Sequence, residues 1–244
     1  MNSAQTSSKK LSDYKVEDLK DLFSDLLKKI SSRILLIEIS NDHINLATAK
    51  AQNNKLFIKK IYRQDLPSEA IDKSIPNDPI AFSALIIEIL KELNINVQRV
   101  AIALQSDACY TRLIEIPEII DEKDSRSFIE DPNSGVQIPI SINNSDFDIH
   151  LTELPNKIVN KNSFNRYFLT SIPKKSTNII LETIKNARLE LCSIQMSHMC
   201  IGNILKSEIN KLDSKNLIIS VDLLDEFSQF IIFDKTGPIL IKRL

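Results

Sequence analysis

The sequence predicts an α/β protein built from two units, and three observations support this. Three strand patterns, a helix pattern and a further strand pattern follow one another between residues 34 and 104. Within 99–117, a continuous apolar run at 100–104 is followed by an alternating run at 109–116, where the chain leaves one sheet and enters a second unit. The length of 244 residues is sufficient for one or two hydrophobic cores.

The composition is that of an ordinary soluble protein and excludes several classes of function. A formal net charge of −1 offers no general attraction to nucleic acid or to an anionic bilayer. Three cysteines do not form a disulfide framework and are typical of a reducing cytoplasm. With only three glycines, the sequence contains neither of the usual glycine-rich phosphate-binding motifs, GxGxxG and GxxxxGKS.

The N-terminal region predicts a polar stretch and then an amphipathic helix. Residues 1–12 are rich in Ser, Lys and Gln, and Ser12 or Asp13 can cap a helix over 13–30. The apolar positions of this helix, spaced at three and four, are Val16, Leu19, Leu22, Phe23, Leu26, Leu27 and Ile30. Its polar face mixes acids with lysines, whereas membrane-surface helices are predominantly basic. We therefore expect it to pack on this chain or on a partner protein.

The remaining elements are predicted from periodicity and turn residues. The first unit has strands at 34–39, 44–49 and 56–63, a helix at 80–93 and a strand at 99–104. The second has a strand at 109–116, a helix at 121–130, strands at 146–153 and 167–172, a helix at 174–187 and a strand at 189–194. A helix at 196–211 and strands at 217–222, 227–233 and 239–242 follow. The last two strands are joined by the hairpin turn 234–237.

Five stretches, 35–50, 99–117, 127–151, 167–191 and 217–244, resemble in order the type IV pilus assembly protein PilM family. The resemblance implies an actin-like, FtsA-like α/β fold. In it, a ribonuclease-H-like subdomain (32–107 plus 195–211) carries an inserted small α/β subdomain of the FtsA 1C (SHS2-like) type (108–194). Residues 213–244 would begin a second ribonuclease-H-like subdomain, and 1–31 would be an N-terminal extension.

The resemblance also implies a binding function rather than an enzymatic one. Members of the family act as cytoplasmic scaffolds at the inner membrane, where they link pilus motor ATPases to membrane parts. They bind an N-terminal cytoplasmic peptide of the membrane protein PilN in a groove between the first subdomain and the insertion. The candidate contacts for such a peptide here are Tyr110, Arg112, Ile114, Ile138 and Pro139. For Arg112, a solvated strand residue is an equally good interpretation.

The two turns that hold ATP phosphates in this family lack glycine in the present sequence. The residues at these turns are Ser40, Asn41 and Asp42 in the first, and Leu224 and Asp225 in the second. A carboxylate close to a triphosphate costs about 1 to 4 kcal/mol even at high effective dielectric. A leucine where the family has glycine adds a steric obstacle.

Glu38 and Asp222 stand where the family's acids organise the water shell of Mg²⁺. The family continues beyond the position of Leu244 into a subdomain that supplies the adenosine site. We therefore expect neither ATP nor Mg²⁺ as a cofactor. Two other functions stay open: an actin-like ATPase with degenerate turns, and a membrane tether of the cell-division type that uses the 13–30 helix.

One cluster could suggest a soft-metal site. Cys192, Met196, His198, Met199 and Cys200 lie within nine residues. At helical spacing, Met196, Met199 and Cys200 share one face that continues the apolar stripe, so core packing is the favoured interpretation. Metal-assisted nuclease chemistry at two carboxylates would require further acids and a basic surface that the sequence lacks.

Overall fold

The computed structural model describes residues 33–52, 55–67, 69–131, 133–136, 146–159, 162–213, 215–223 and 228–243. Its strands are β1 (Arg33–Ile39), β2 (His43–Gln52), β3 (Lys55–Asp65), β4 (Ile71–Asp72), β5 (Ile75–Pro76), β6 (Arg99–Leu104), β7 (Tyr110–Pro117), β8 (Phe147–Val159), β9 (Asn162–Pro173), β10 (Glu190–Met196), β11 (Ile218–Leu223), β12 (Ser228–Asp234) and β13 (Gly237–Arg243). Its helices are α1 (Pro79–Glu92), α2 (Glu122–Glu130), α3 (Lys174–Asn186) and α4 (Ser197–Ile209), with a 3-10 turn at Ser106–Ala108. The strands and helices predicted between 34 and 242 are present. The predicted helix at 13–30 lies outside the described residues.

The first sheet has the strand order β10-β6-β1-β2-β3, with β1 at its centre. Strand β1 pairs antiparallel with β2 and parallel with β6. Alternation along β1 places Leu35, Ile37 and Ile39 on one face, where each is at most 2 % exposed. These side chains form the floor of the main hydrophobic core.

Helices α1 and α3 cover that face of the sheet. Phe82 and Ile86 of α1 and Ile180 and Ile184 of α3 are buried in the same core as the β1 side chains. Asp78 caps α1 by accepting hydrogen bonds from the backbone N–H groups of the second and third helical residues at 2.8 and 3.0 Å. The helix is thereby fixed where its apolar stripe meets the sheet.

The predicted extent of the insertion, 108–194, is too long. Strand β10 pairs parallel with β6 in the first sheet, from Glu190↔Arg99 to Met196↔Leu104, with a register shift between Leu191 and Ser193. Helix α3 likewise packs in the first core. The first subdomain therefore comprises about 33–108 together with 174–209, and the insertion ends near Pro173. The pattern of 189–194 predicts a strand, but pairing with a strand some ninety residues away depends on tertiary packing.

The insertion is a three-stranded antiparallel sheet with order β7-β9-β8. Strands β8 and β9 form a hairpin that is longer than predicted, because pairing continues beyond a register shift between Leu154 and Lys157. On one face, α2 closes a small core that contains Ile114, Ile129 and Leu169. The insertion thus has a hydrophobic core of its own.

Strands β11, β12 and β13 form the third sheet. Helix α4 packs on it, and Ile209 of the helix shares a hydrophobic core with Ile231 and Phe233 of β12. The predicted hairpin turn between β12 and β13 is present. Gly237 ends it with a φ of +112°, a backbone conformation that residues with a Cβ rarely adopt. A Cβ at Gly202 of α4 would lie 3.3 Å from the ring of Phe233, so this glycine allows close approach of helix and sheet.

Candidate functional site

The turn between β1 and β2, predicted as a degenerate phosphate loop, is held by protein side chains. The Nε2 of Gln105 donates a 2.7 Å hydrogen bond to the Oγ of Ser40, and both residues are at most 5 % exposed. The Oδ1 of Asn41 accepts a 3.0 Å bond from the backbone N–H of Ser74, while its Nδ2 lies 3.3 Å from the Oδ2 of Asp107. The polar groups of the turn are therefore already engaged within the chain.

Asp42 adds a negative charge to this turn. Its Oδ1 lies 2.6 Å from the Nδ1 of His43, and its Oδ2 lies 3.8 Å from the Nη2 of Arg63. Slight burial opposes ionisation, but the hydrogen bond and the positive fields of His43 and Arg63 outweigh it and hold the pKa of Asp42 below its usual value. The carboxylate is thus ionised at neutral pH, where it would repel an approaching phosphate.

Glu38 and Asp222 come close enough to interact across the first and third sheets. Partial burial, and then the negative charge of Glu38, raise the pKa of Asp222. The Oε2 of Glu38 accepts a 2.9 Å hydrogen bond from the Nδ2 of Asn45. Within the described ranges, neither carboxylate forms an ion pair, and no group of three His, Cys, Asp or Glu residues is arranged to hold a metal. Leu224 and Asp225, the residues of the second predicted turn, lie outside the described residues.

A groove of about 550 Å³, here called the inter-subdomain groove, separates the first subdomain from the insertion. It lies at the end of the insertion's sheet where β7 and β8 begin and β9 ends, since Tyr110 pairs with Ser171 and Phe147 with Pro173. The opposite wall is the β4–β5 hairpin and the 3-10 turn. The polar and aromatic residues that line the whole groove are Asp72, Lys73, Asn77, Asp107, Tyr110, Phe147, Ser171, Lys175 and Ser176.

Of the five residues predicted to contact a partner peptide, Tyr110 lines this groove. Arg112 is exposed on β7 but is not among the lining residues. Ile114 is only 3 % exposed and belongs to the core of the insertion, so a peptide on the surface cannot reach it. This is a correction to its predicted role. Ile138 and Pro139 lie outside the described residues.

The sequence did not single out several residues that line the groove, among them Lys73, Phe147 and Lys175. Lys73 lies in the β4–β5 hairpin, whose two-residue strands are too short for a periodic pattern. Phe147 and Lys175 belong to elements that were predicted, but only the pairing of β8 with β9 brings them to the same end of the sheet.

The residues of the suggested soft-metal cluster have separate environments. Met196 is buried in the first core, and Met199 packs against it. His198 is 1 % exposed with its ring edge-on to Phe168, at a centroid distance of 5.7 Å, while Cys200 lines the other face of the first sheet. The two methionines therefore act as core residues.

Comparison with solved structures identifies the fold. The chain is similar to PilM of a PilM–PilN type IV pilus biogenesis complex, with a TM-score of 0.71 and 16 % identity over 86 % of this chain. It spans about 61 % of the length of that structure. It is also similar to the cytoplasmic domain of EpsL, an inner membrane component of the type II secretion system of Vibrio cholerae, with a TM-score of 0.51 and 8 % identity over 87 % of this chain and 71 % of the other.

These similarities confirm the predicted fold class, an actin-like subdomain with an inserted small α/β subdomain. No protein-family model matches the chain, and no curated protein matches its sequence. Among the described helices, none has both the length and the apolar character needed to cross a bilayer.

Proposed function

We propose that this chain is a cytoplasmic scaffold of a type IV pilus or related secretion or DNA-uptake machine. In this role it binds the N-terminal cytoplasmic peptide of a PilN-like inner-membrane protein in the inter-subdomain groove, and it does not hydrolyse ATP. It would act at the inner membrane through this partner and connect it to the pilus motors. The observation that carries the proposal is the groove itself, in a fold similar to that of PilM in a PilM–PilN complex.

The size and lining of the groove suit a short extended peptide. Binding sites for ligands typically enclose about 300 to 1,000 Å³ and combine apolar walls with a few polar groups. Phe147 and the half-buried ring of Tyr110 supply apolar surface, while Asp107 and Lys175 supply an acceptor and a donor for peptide main-chain or side-chain groups. The lining carries two lysines and two aspartates, so its recognition does not depend on a strongly charged peptide.

The state of the first turn supports a role without nucleotide. A phosphate entering there would meet the ionised Asp42 and would have to displace the contacts that Gln105, Ser74 and Asp107 already make. Breaking such bonds without replacing them costs about 1 to 3 kcal/mol for each buried group left unpaired. Binding energy from the phosphate would be consumed by this rearrangement.

The experiment is isothermal titration of the full chain with the PilN-type N-terminal peptide from the same genome. Tyr110→Ala is the test variant and Arg112→Ala is its matched control, since the two residues lie on the same strand but only Tyr110 lines the groove. Truncation of an interface anchor costs more than about 1 kcal/mol, so the Kd should rise about fivefold or more for Tyr110→Ala and stay unchanged for Arg112→Ala. Equal effects of the two variants would place the peptide elsewhere.

A second titration, with Mg-ATP, separates the scaffold from an ATPase. No binding heat is expected, for the reasons given for the first turn. Micromolar ATP affinity, with or without peptide binding, would favour the actin-like ATPase instead.

A further inference from the structure

The first sheet has an open face, defined here as the side opposite α1 and α3. Strand register places one row of residues straight across all five strands on this side. The row consists of Ile61, Ala47, Leu36, Ala101 and Ser193. It is apolar or small at each position, as expected of a surface on which another element packs.

The described part of the chain does not fill this face. A groove of about 320 Å³ runs along it, bounded by Cys200 at the start of α4. Ile61 is 72 % exposed, whereas Leu35 and Ile37, which point to the other side of the same sheet, are at most 1 % exposed. The alanines of the row would allow the backbone of a helix to approach closely.

The segment directly before β1 matches this face. Residues 16–30 carry an apolar stripe with helical spacing, and only Ser31 and Ser32 separate the end of the stripe from Arg33, where β1 begins. Connections between a helix and a strand of two to six residues are ordinary and place the two elements side by side. Because α1 and α3 already cover the other side of β1, the open face is the side left for such a helix.

The lengths are also compatible. A helix over 12–30 would be about 28 Å long, and the seven residues of β1 extend about 23 Å, so an antiparallel helix would cover the whole strand. Glu38 lies five residues beyond Arg33, or about 16 Å along the strand, which corresponds to about eleven residues of helix counted back from Ile30. That position falls next to Lys20.

Charge is complementary at this end of the face. Glu38 lines the groove, and it and Asp222 repel each other without an ion-pair partner among the described residues. Lys20 lies at the margin of the apolar stripe, next to Leu27, when the segment is drawn as a helix. Long lysine side chains at the margin of an apolar contact can extend to such carboxylates.

The geometry points to an intramolecular docking site: residues 12–30 form a helix that lies antiparallel to β1 on the open face. It is held by the apolar stripe against Leu36, Ala47 and Ala101 and by Lys20 near Glu38. This docking is independent of what binds in the inter-subdomain groove. It gives the N-terminal extension a structural role within the chain.

The primary test is hydrogen–deuterium exchange of the unmodified full chain, read on peptides that cover 16–30. A docked helix protects these amides, and protection should be unchanged on tenfold dilution because the contact is intramolecular. The double variant Leu19→Asp/Leu26→Asp should abolish it. The matched control Tyr14→Asp/Ser24→Asp adds the same two charges on the polar face of the helix and should keep it.

The three free cysteines provide a second measurement on the same proteins. Alkylation of Cys200 by iodoacetamide should accelerate about tenfold in Leu19→Asp/Leu26→Asp, which corresponds to about 1.4 kcal/mol of lost docking free energy. The exposed Cys192 should be unaffected. Cys109, which lies in the inter-subdomain groove, should also keep its rate and thereby show that the rest of the fold is intact.

Three results would overturn the proposal. Unprotected amides at 16–30 in the unmodified chain would show that the segment is not docked. Protection that falls on dilution would assign the face to a second copy of the chain. Protection that arises only on adding vesicles of phosphatidylcholine and phosphatidylglycerol would make the segment a membrane anchor instead.

Discussion

The buried imidazole of His198 should make the protein less stable in acid, by an amount that can be worked out. Burial lowers the pKa of His198 from 6.5 to about 4, since the side chain is 1 % exposed and neither ring nitrogen has a hydrogen-bond partner among the described residues. In the unfolded chain the ring binds a proton more readily. The contribution of the neutral His198 ring to the free energy of unfolding is therefore fully present above pH 6.5 and is lost as the pH falls towards 4.

The size of this effect follows from the difference in proton affinity. Each tenfold difference is worth about 1.4 kcal/mol, so the unfolded state gains about 3 kcal/mol relative to the folded state by pH 4, and about 2 kcal/mol by pH 5. The charged groups that line the cavity beside His198 are Glu153 of β8, Lys206 of α4 and Lys235 of the β12–β13 turn. The two lysines reinforce the preference for a neutral ring, and Glu153 opposes it.

The assay is urea unfolding of the wild type and of His198→Leu at pH 7.5 and pH 5.0. Leucine fills a similar volume without a titratable group. Between pH 7.5 and pH 5.0, the free energy of unfolding of His198→Leu should therefore fall by about 2 kcal/mol less than that of the wild type. His150→Gln, at an exposed position of β8, is the control and should keep the wild-type loss. Any other group that titrates between these two pH values is shared by the wild type and His198→Leu, so its contribution cancels in the comparison. An equal loss in the wild type and His198→Leu would refute the assignment of a neutral buried histidine.

Three further predictions concern the fold. Asp78→Ala should lower the free energy of unfolding by about 1 kcal/mol in urea denaturation, because the first turn of α1 loses its capping acceptor. Ile114→Ala should cost about 2 to 5 kcal/mol in the same assay, and an effect confined to peptide affinity would return this residue to the binding surface. Burial, and then the charge of Asp107, raise the pKa of the Cys109 thiol to about 12, so at pH 8 iodoacetamide should alkylate it at least about tenfold more slowly than the exposed Cys192. Comparable rates at the two thiols would contradict the raised pKa of Cys109.

Local pattern in the sequence was sufficient to predict most of the helices and strands. The apolar spacing over 80–93 predicts α1 to within one residue at each end, and the short apolar run over 34–39 predicts β1. The pairing partner of β10 could not be predicted in this way, because the partner strand β6 is separated from it by the whole insertion. The sequence pattern marked where the chain enters the insertion but not where it returns.

The candidate site was predictable to a smaller extent, and for the same reason. The glycine-free turn and its acid at position 42 are visible in the sequence. The groups that hold the turn, Gln105 and Ser74, are 65 and 33 residues away from their partners Ser40 and Asn41. Hydrogen bonds over such separations depend on tertiary packing and leave no local signal. Ile114 was misassigned for a related reason. Alternation in the sequence predicts the strand face on which Ile114 lies, but not whether that face is covered by α2 or open to a peptide.

Asp107 belongs both to the hydrogen-bonded first turn, where nucleotide binding is not expected, and to the inter-subdomain groove, where the peptide is proposed to bind. Its Oδ1 accepts a hydrogen bond from the Oγ of Ser74, its Oδ2 lies within bonding distance of Asn41, and the same residue lines the inter-subdomain groove. The conformation of the first turn is therefore determined by protein groups next to the groove, and no phosphate is required to order it. A scaffold that keeps this turn in place without nucleotide can hold the wall of the groove in one conformation before a peptide arrives, which reduces the entropy lost on binding.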